Sequence, residues 1–165
     1  MSDVIAAYCD GGVIERNPSK IGGTWAYCHV TEAELMSNYG VITPDDVGLA
    51  VITNNLTELY AAVRCLESLP QGWDGVLHTD SLVTLNRLIH ARSFTGVPRW
   101  LIDRTLKLRR NSKWNVNLVV GHATKEELRR GYRIRNKLPT SRINSLVDEL
   151  CRRAAEEFLA SVGDD

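Results

Sequence analysis

The stretch that most restricts the fold is Val4 to Cys9, which carries almost no polar side chain and runs straight into Asp10-Gly11-Gly12. A short apolar run of this kind, bounded by glycines, suits a central β-strand covered on both faces. Asp10 then falls where the strand meets its turn, at the rim of the sheet, and the glycines let a backbone or a ligand come close. Asp-Gly is equally an ordinary hairpin signal, so this aspartate alone does not decide between a turn and a site. Other acidic residues answer it further along the chain.

A chain of 165 residues is long enough to bury a core without staples, and a single domain over residues 1–165 is expected. No apolar run approaches the roughly 20 residues of a membrane span, and the N-terminus lacks a basic-then-apolar leader, so a cytoplasmic protein without a membrane partner is expected. Cys9, Cys28, Cys65 and Cys151 are scattered through apolar surroundings with no metal-ligand spacing. Buried free thiols are the expectation, not zinc or disulfides. The net charge is zero, yet residues 1–80 hold 3 Lys/Arg against 11 Asp/Glu, and residues 81–165 hold 17 against 9. Such asymmetry hints at a polyanionic partner, with metal ligands gathered in the acidic half and phosphate contacts in the basic half.

Taken in order, residues 3–10 read as a first strand and 11–23 as a loop. Alternation of Trp25, Tyr27 and His29 against Ala26, Cys28 and Val30 marks a second strand, and Leu35 to Ile42 a third. These open the chain as an antiparallel meander, followed by a turn at Thr43-Pro44-Asp45-Asp46. Asn54 or Asn55 can cap a helix with Leu59, Val63 and Leu66 at helical spacing, closed by Pro70 and Gly72. A short strand from Gly75 to Thr79 ends in Asp80-Ser81. Helices follow from Leu82 and from Pro98 to about Arg110, then a fifth strand from Asn115 to Val120. Residues 123–142 are irregular and basic, and Ile143 to about Ala160 forms a closing amphipathic helix. The pattern βββαβααβα describes a mixed sheet with helices against it.

Four acidic residues stand at positions where chemistry gathers. Glu58 lies in the first turn of its helix, where the dipole favours an acid, yet its neighbours at helical spacing, Asn55, Ala62 and Cys65, do not form a solvated stripe. Asp80 suits the N-cap of the next helix, and it also sits past the carboxyl end of a strand, where ligand sites collect in mixed sheets. Asp148 interrupts Leu146-Val147 and Leu150-Cys151 on the last helix, where a solvated face is the commoner explanation for a lone Asp.

Strand-Asp-Gly-Gly, Thr53-Asn54-Asn55-Leu56-Thr57-Glu58, Thr79-Asp80-Ser81, Gly121-His122-Ala123 and Val147-Asp148-Glu149-Leu150, in that order over nearly the whole chain, resemble the ribonuclease H family, type 1. The resemblance implies an α/β fold with a five-stranded mixed sheet, three antiparallel and then two parallel strands, flanked by helices. In it Asp10, Glu58, Asp80 and Asp148 would converge as catalytic and metal-binding residues. Carboxylates crowded together need cations or raised pKa values, and hard oxygen ligands suit Mg²⁺ or Mn²⁺. By similarity two ions would be held, Asp10 bridging both, Glu58 and Asp80 completing one site and Asp148 the other. His122 matches the family's mobile histidine, which helps proton handling and product departure; a loop-capping role fits it as well. Asn17, Asn54 and Asn55 match residues that line the minor groove near 2′-hydroxyls, although Asn-Pro turns and helix caps also use asparagine.

Two departures from the family pattern stand out. The basic, tryptophan-rich handle of the bacterial enzymes is too short here, though residues 92–113 stay basic through Arg99, Arg104, Lys107, Arg109, Arg110 and Lys113. The segment between His122 and Asp148 is conversely long, and Arg129, Arg130, Arg133 and Arg135 within it are expected to grip phosphates in place of the handle. The implied activity is a monomeric, metal-dependent endonuclease that cuts the RNA strand of RNA–DNA hybrids and leaves 3′-hydroxyl and 5′-phosphate ends. A nuclease acting on branched or duplex DNA, or a catalytically silent nucleic-acid-binding module, shares the same residues.

Overall fold

The computed structural model describes residues 3–119 and 142–163. Five strands form one mixed sheet: β1 (Ala6–Val13), β2 (Gly23–Val30), β3 (Leu35–Ile42), β4 (Val76–Thr79) and β5 (Asn115–Leu118). Their spatial order is β3-β2-β1-β4-β5, with β1–β2 and β2–β3 antiparallel and β1–β4 and β4–β5 parallel. The helices are α1 (Pro44–Val47), α2 (Asn54–Glu67), α3 (Leu82–Ile89), α4 (Arg99–Arg109) and α5 (Arg142–Gly163).

The sheet is covered on both faces, which is why its middle strands are largely apolar. Alternation sends Cys9, Trp25 and Tyr27 into the main core with Leu59, Val63 and Leu66 of α2 and Leu101 of α4. The opposite face, with Ala26 and Cys28, packs on Val147, Leu150 and Cys151 of α5. Burying aliphatic side chains of this size contributes about 1.5–3 kcal/mol each. At the edge, β3 has few covered residues, and Leu35 and Met36 at its start are exposed. All four cysteines are buried and unpaired.

The first strand runs further than its sequence predicts. It continues through Asp10-Gly11-Gly12 to Val13, with Asp10 opposite Ala26 and Gly11 opposite Trp25. Asp10 is therefore inside a strand and not at a turn. The glycines serve a close approach instead: a Cβ on Gly11 would lie 2.5 Å from both Glu58 N and Thr57 C. A Cβ on Gly23 of the neighbouring strand would lie 2.2 Å from Thr57 Cγ2. With both side chains absent, the N-terminal part of α2 presses directly on the sheet.

Two further corrections concern caps. The expected turn at Thr43–Asp46 is the start of α1, in which Thr43 and Asp46 bond each other's backbone N–H groups in a capping box. The cap of α2 is Thr53, whose hydroxyl accepts from Leu56 N at 3.2 Å, and not Asn54 or Asn55. Thr53 takes the extended conformation that an N-cap needs, while both asparagines are already helical. Glu58 consequently stands in the second turn.

Candidate metal centre

Three elements deliver three carboxylates to one place. Asp10 comes from the interior of β1, Glu58 from the second turn of α2, and Asp80 from the residue after β4. Parallel pairing sets Ala6 against Val76 and Tyr8 against His78, so the same offset carried two residues on brings Asp10 level with Asp80. The β1–β4 ladder has stopped by then, at the carboxyl end of β4. Close packing at Gly11 brings Glu58 against it. Each of the three residues offers a carboxylate oxygen, and these oxygens lie within 4.8 Å of one another.

The surroundings are dry. Asp10 and Glu58 are each 4 % exposed. Asp10 Oδ1 accepts one hydrogen bond, from Gly11 N at 3.0 Å. Glu58 Oε2 is buried without a hydrogen-bond partner among the described residues. Burial first, then the Asp80 carboxylate, pushes the Asp10 carboxyl well above its ordinary range. Burial, then Asp10 and Asp80, pushes Glu58 up in the same way. Removing carboxylates from water and setting them side by side makes their charged forms expensive, and a cation or a proton relieves both penalties. An orphaned buried oxygen within an all-carboxylate donor set fits a hard divalent ion such as Mg²⁺ or Mn²⁺.

The N-cap of α3 is Ser81, which accepts from Thr84 N at 3.1 Å, and not Asp80. Asp148 is the fourth expected acid, and it lies outside the group of three. It is half-buried on α5, where Arg152 Nη2 donates to Asp148 Oδ2 at 2.7 Å. Its helix nonetheless abuts the centre: one turn on, Cys151 donates its thiol to Asp10 O at 3.4 Å, and the Asp148 charge adds to the upward push on Asp10.

Asn17 and Asn54 are brought together, Asn17 Oδ1 accepting from Asn54 N at 3.0 Å. Side-chain capping of that N–H ties the loop after β1 to the start of α2, beside Asn55. His122, Arg129, Arg130, Arg133 and Arg135 lie outside the described residues, as does nearly all of the expected basic insertion at 123–142.

Sequence reasoning missed two supports of this centre. Gly11 was legible only as half of a turn signal. Arg87, on α3, is 4 % exposed and donates to Asn55 O at 3.0 Å, Ser93 O at 2.8 Å and Thr95 O at 3.4 Å. It anchors the first turn of α2 to the segment after α3. The available signal was a cation within the apolar pattern Leu82, Leu85, Leu88, Ile89, and it pointed to a snorkelling surface residue just as well.

No protein-family model and no curated protein matches the sequence. Solved structures do match. Ribonuclease H1 from the halophilic archaeon Halobacterium salinarum NRC-1 superposes with a TM-score of 0.60 at 21 % identity, covering 93 % of this chain and 98 % of that one. The N-terminal RNase H domain of a Mycobacterium tuberculosis protein, solved as a fusion with maltose-binding protein, gives 0.60 at 15 % identity, covering 96 % and 99 %. The mixed sheet, its strand order and its flanking helices are shared over essentially the whole length, and the chain has the ribonuclease H-like fold.

Proposed function

We propose that this protein is a metal-dependent endoribonuclease that cleaves the RNA strand of RNA–DNA hybrids and leaves 3′-hydroxyl and 5′-phosphate ends. The observation that carries the proposal is the convergence of Asp10, Glu58 and Asp80 within 4.8 Å at the carboxyl end of β4, in a fold shared with solved ribonucleases H. Asp10, Glu58 and Asp80 hold a divalent ion, and Asp148, from the adjacent face of α5, serves a second. When bound, such ions supply an activated water and charge stabilisation for the leaving 3′ oxygen. The chain's own part is positional. Rigid strands and the second turn of α2 hold the carboxylates before the ions arrive, so little reorganisation remains at the moment of reaction.

Asn17, Asn54 and Asn55, gathered at the start of α2, are suited to hydrogen-bonding the 2′-hydroxyl that separates an RNA strand from a DNA strand. His122 handles protons near the departing product, and Arg129, Arg130, Arg133 and Arg135 take backbone phosphates. Among the described residues no helix is long and apolar enough to cross a membrane.

The test is a labelled RNA–DNA hybrid incubated with and without Mg²⁺, beside duplex RNA, duplex DNA and a four-way junction. Metal-dependent cleavage confined to the RNA strand of the hybrid is expected, and Asp10→Asn should abolish it while leaving most hybrid binding. Preferential cutting of the junction or of duplex DNA would move the activity to another nuclease class. Cleavage by Asp10→Asn at the wild-type rate would show that the centre is misassigned.

A further inference from the structure

We propose that a cavity at the opposite pole of the molecule binds a nucleoside 5′-phosphate. The cavity, of about 310 Å³, lies between the C-terminal halves of α2 and α4 and the loops that lead into β4 and β5. Glu67, on its wall, is nine residues beyond Glu58 along α2, roughly 13 Å of helical rise. The lining residue Trp73 lies three residues before the start of β4 at Val76, whereas Asp80 follows that strand's other end. The cavity is thus separate from the carboxylate centre, and its assignment does not depend on the proposed nuclease activity.

Three features define the ligand. First, Leu66, Leu108, the buried Trp73 and the half-buried Trp114 give an apolar wall with flat indole surface suited to a ring. Second, Lys107, Arg110 and Lys113 stand exposed around the rim. Glu67, the acid among the lining residues, is already held by Arg104, whose Nε donates to Glu67 Oε2 at 2.9 Å. Among the described residues no carboxylate pairs with the other three cations, which leaves their charge for an anion. Third, Gln71 and Asn111 place carboxamides on the same lining, and a carboxamide offers the paired donor and acceptor that match a base edge. A volume near the lower end of small-ligand sites accepts one nucleotide and no duplex. A ring, a hydrogen-bonding edge and a phosphate are together satisfied by a nucleoside 5′-phosphate, whereas an acidic peptide would use only the cations.

The ligand could be a free mononucleotide or the 5′-phosphorylated end of a strand, and titration separates them. The full chain in EDTA, which removes any metal-bridged phosphate contact, is titrated calorimetrically with AMP, adenosine, inorganic phosphate and a deoxytrinucleotide with or without its 5′-phosphate. AMP should bind at least tenfold more tightly than adenosine or inorganic phosphate. A trinucleotide that binds only when phosphorylated, and more tightly than AMP, assigns the site to strand ends; tighter AMP assigns it to free nucleotide. The double substitution Lys107→Gln/Lys113→Gln, on two exposed side chains, should weaken the preferred ligand about tenfold without lowering Tm. Equal affinity for inorganic phosphate and AMP, unchanged AMP affinity in the double variant, or binding of a glutamate-rich peptide where AMP fails would overturn the proposal.

Discussion

Replacing Asp10 by asparagine should make the metal-free protein more stable. The oxygens of Asp10, Glu58 and Asp80 lie within 4.8 Å of one another. Two unit charges at that separation repel by about 3.5 kcal/mol at an effective dielectric of about 20. Any proton retained by Asp10 or Glu58, both held above their ordinary range, relieves part of that repulsion, so the sum over pairs is an upper bound. Asparagine keeps the shape of the side chain and the acceptor for Gly11 N, which sits 3.0 Å from Asp10 Oδ1. Its amide can also donate to the Glu58 carboxylate. The expected gain at pH 7.5 in EDTA is about 1–3 kcal/mol, the usual sign when a strained functional group is removed. For a domain of this length that raises Tm by roughly 2–12 °C. Divalent ion should reverse the order: at about a hundredfold excess over its dissociation constant, an ion that binds the folded state alone stabilises the wild type by about 2.7 kcal/mol. The variant should gain much less. Thermal melts followed by circular dichroism, with EDTA and with Mn²⁺, read both effects. A lower Tm for Asp10→Asn in EDTA, or an equal gain from Mn²⁺, would refute the idea that buried like charges wait here for a cation.

The same charges set a pH dependence. Asp10 and Glu58 are held above their ordinary values of 3.8 and 4.5, so the folded state keeps protons that the unfolded chain has lost. Their contribution is full below the unfolded values and is lost as pH climbs from there through the raised folded ones. In EDTA, wild-type stability should fall relative to Asp10→Asn as pH rises above about 4, and a difference that stays flat between acidic and neutral pH in parallel urea titrations would count against it. Gly11→Ala would put a Cβ 2.5 Å from backbone atoms of Thr57 and Glu58, and ordinary contact begins at 3.4 Å. Either α2 withdraws by nearly the difference or β1 bends, at a cost of about 1–3 kcal/mol, and Mn²⁺ affinity measured by calorimetry should drop at least tenfold. Wild-type Tm and wild-type Mn²⁺ binding together would show that the close approach is dispensable. Arg87→Met leaves the Asn55, Ser93 and Thr95 carbonyls without their donor and should cost about 2–4 kcal/mol in urea unfolding; a change under about 0.5 kcal/mol would reduce Arg87 to a surface residue.

Much of the architecture could be read before any coordinates, because its signals are local. The apolar run at Val4–Cys9, the alternation in Thr24–Val30 and the helical spacing of Leu59, Val63 and Leu66 each describe one element and the face it buries. The acids at the element ends were readable for the same reason. Where local signals competed, they failed: Thr53, Asn54 and Asn55 are all good caps, and backbone conformation selected Thr53. Asp-Gly-Gly is a turn signal in isolation, yet pairing with β2 carried the strand straight through it.

The sequence by itself determined which elements form, what each must bury, and which acidic residues were available for a site. Only the tertiary structure decided which of those acids meet. The β1–β4 register that levels Asp10 with Asp80, the glycine contact that draws Glu58 inward, and the buried Arg87 that anchors α2 all join residues far apart along the chain. Asp148 shows the converse, since its place on α5 was plain while its position outside the group of three depends on how that helix lies across the sheet. Propensity and periodicity act over one or two turns of chain, whereas a shared metal centre is a property of register and packing between elements.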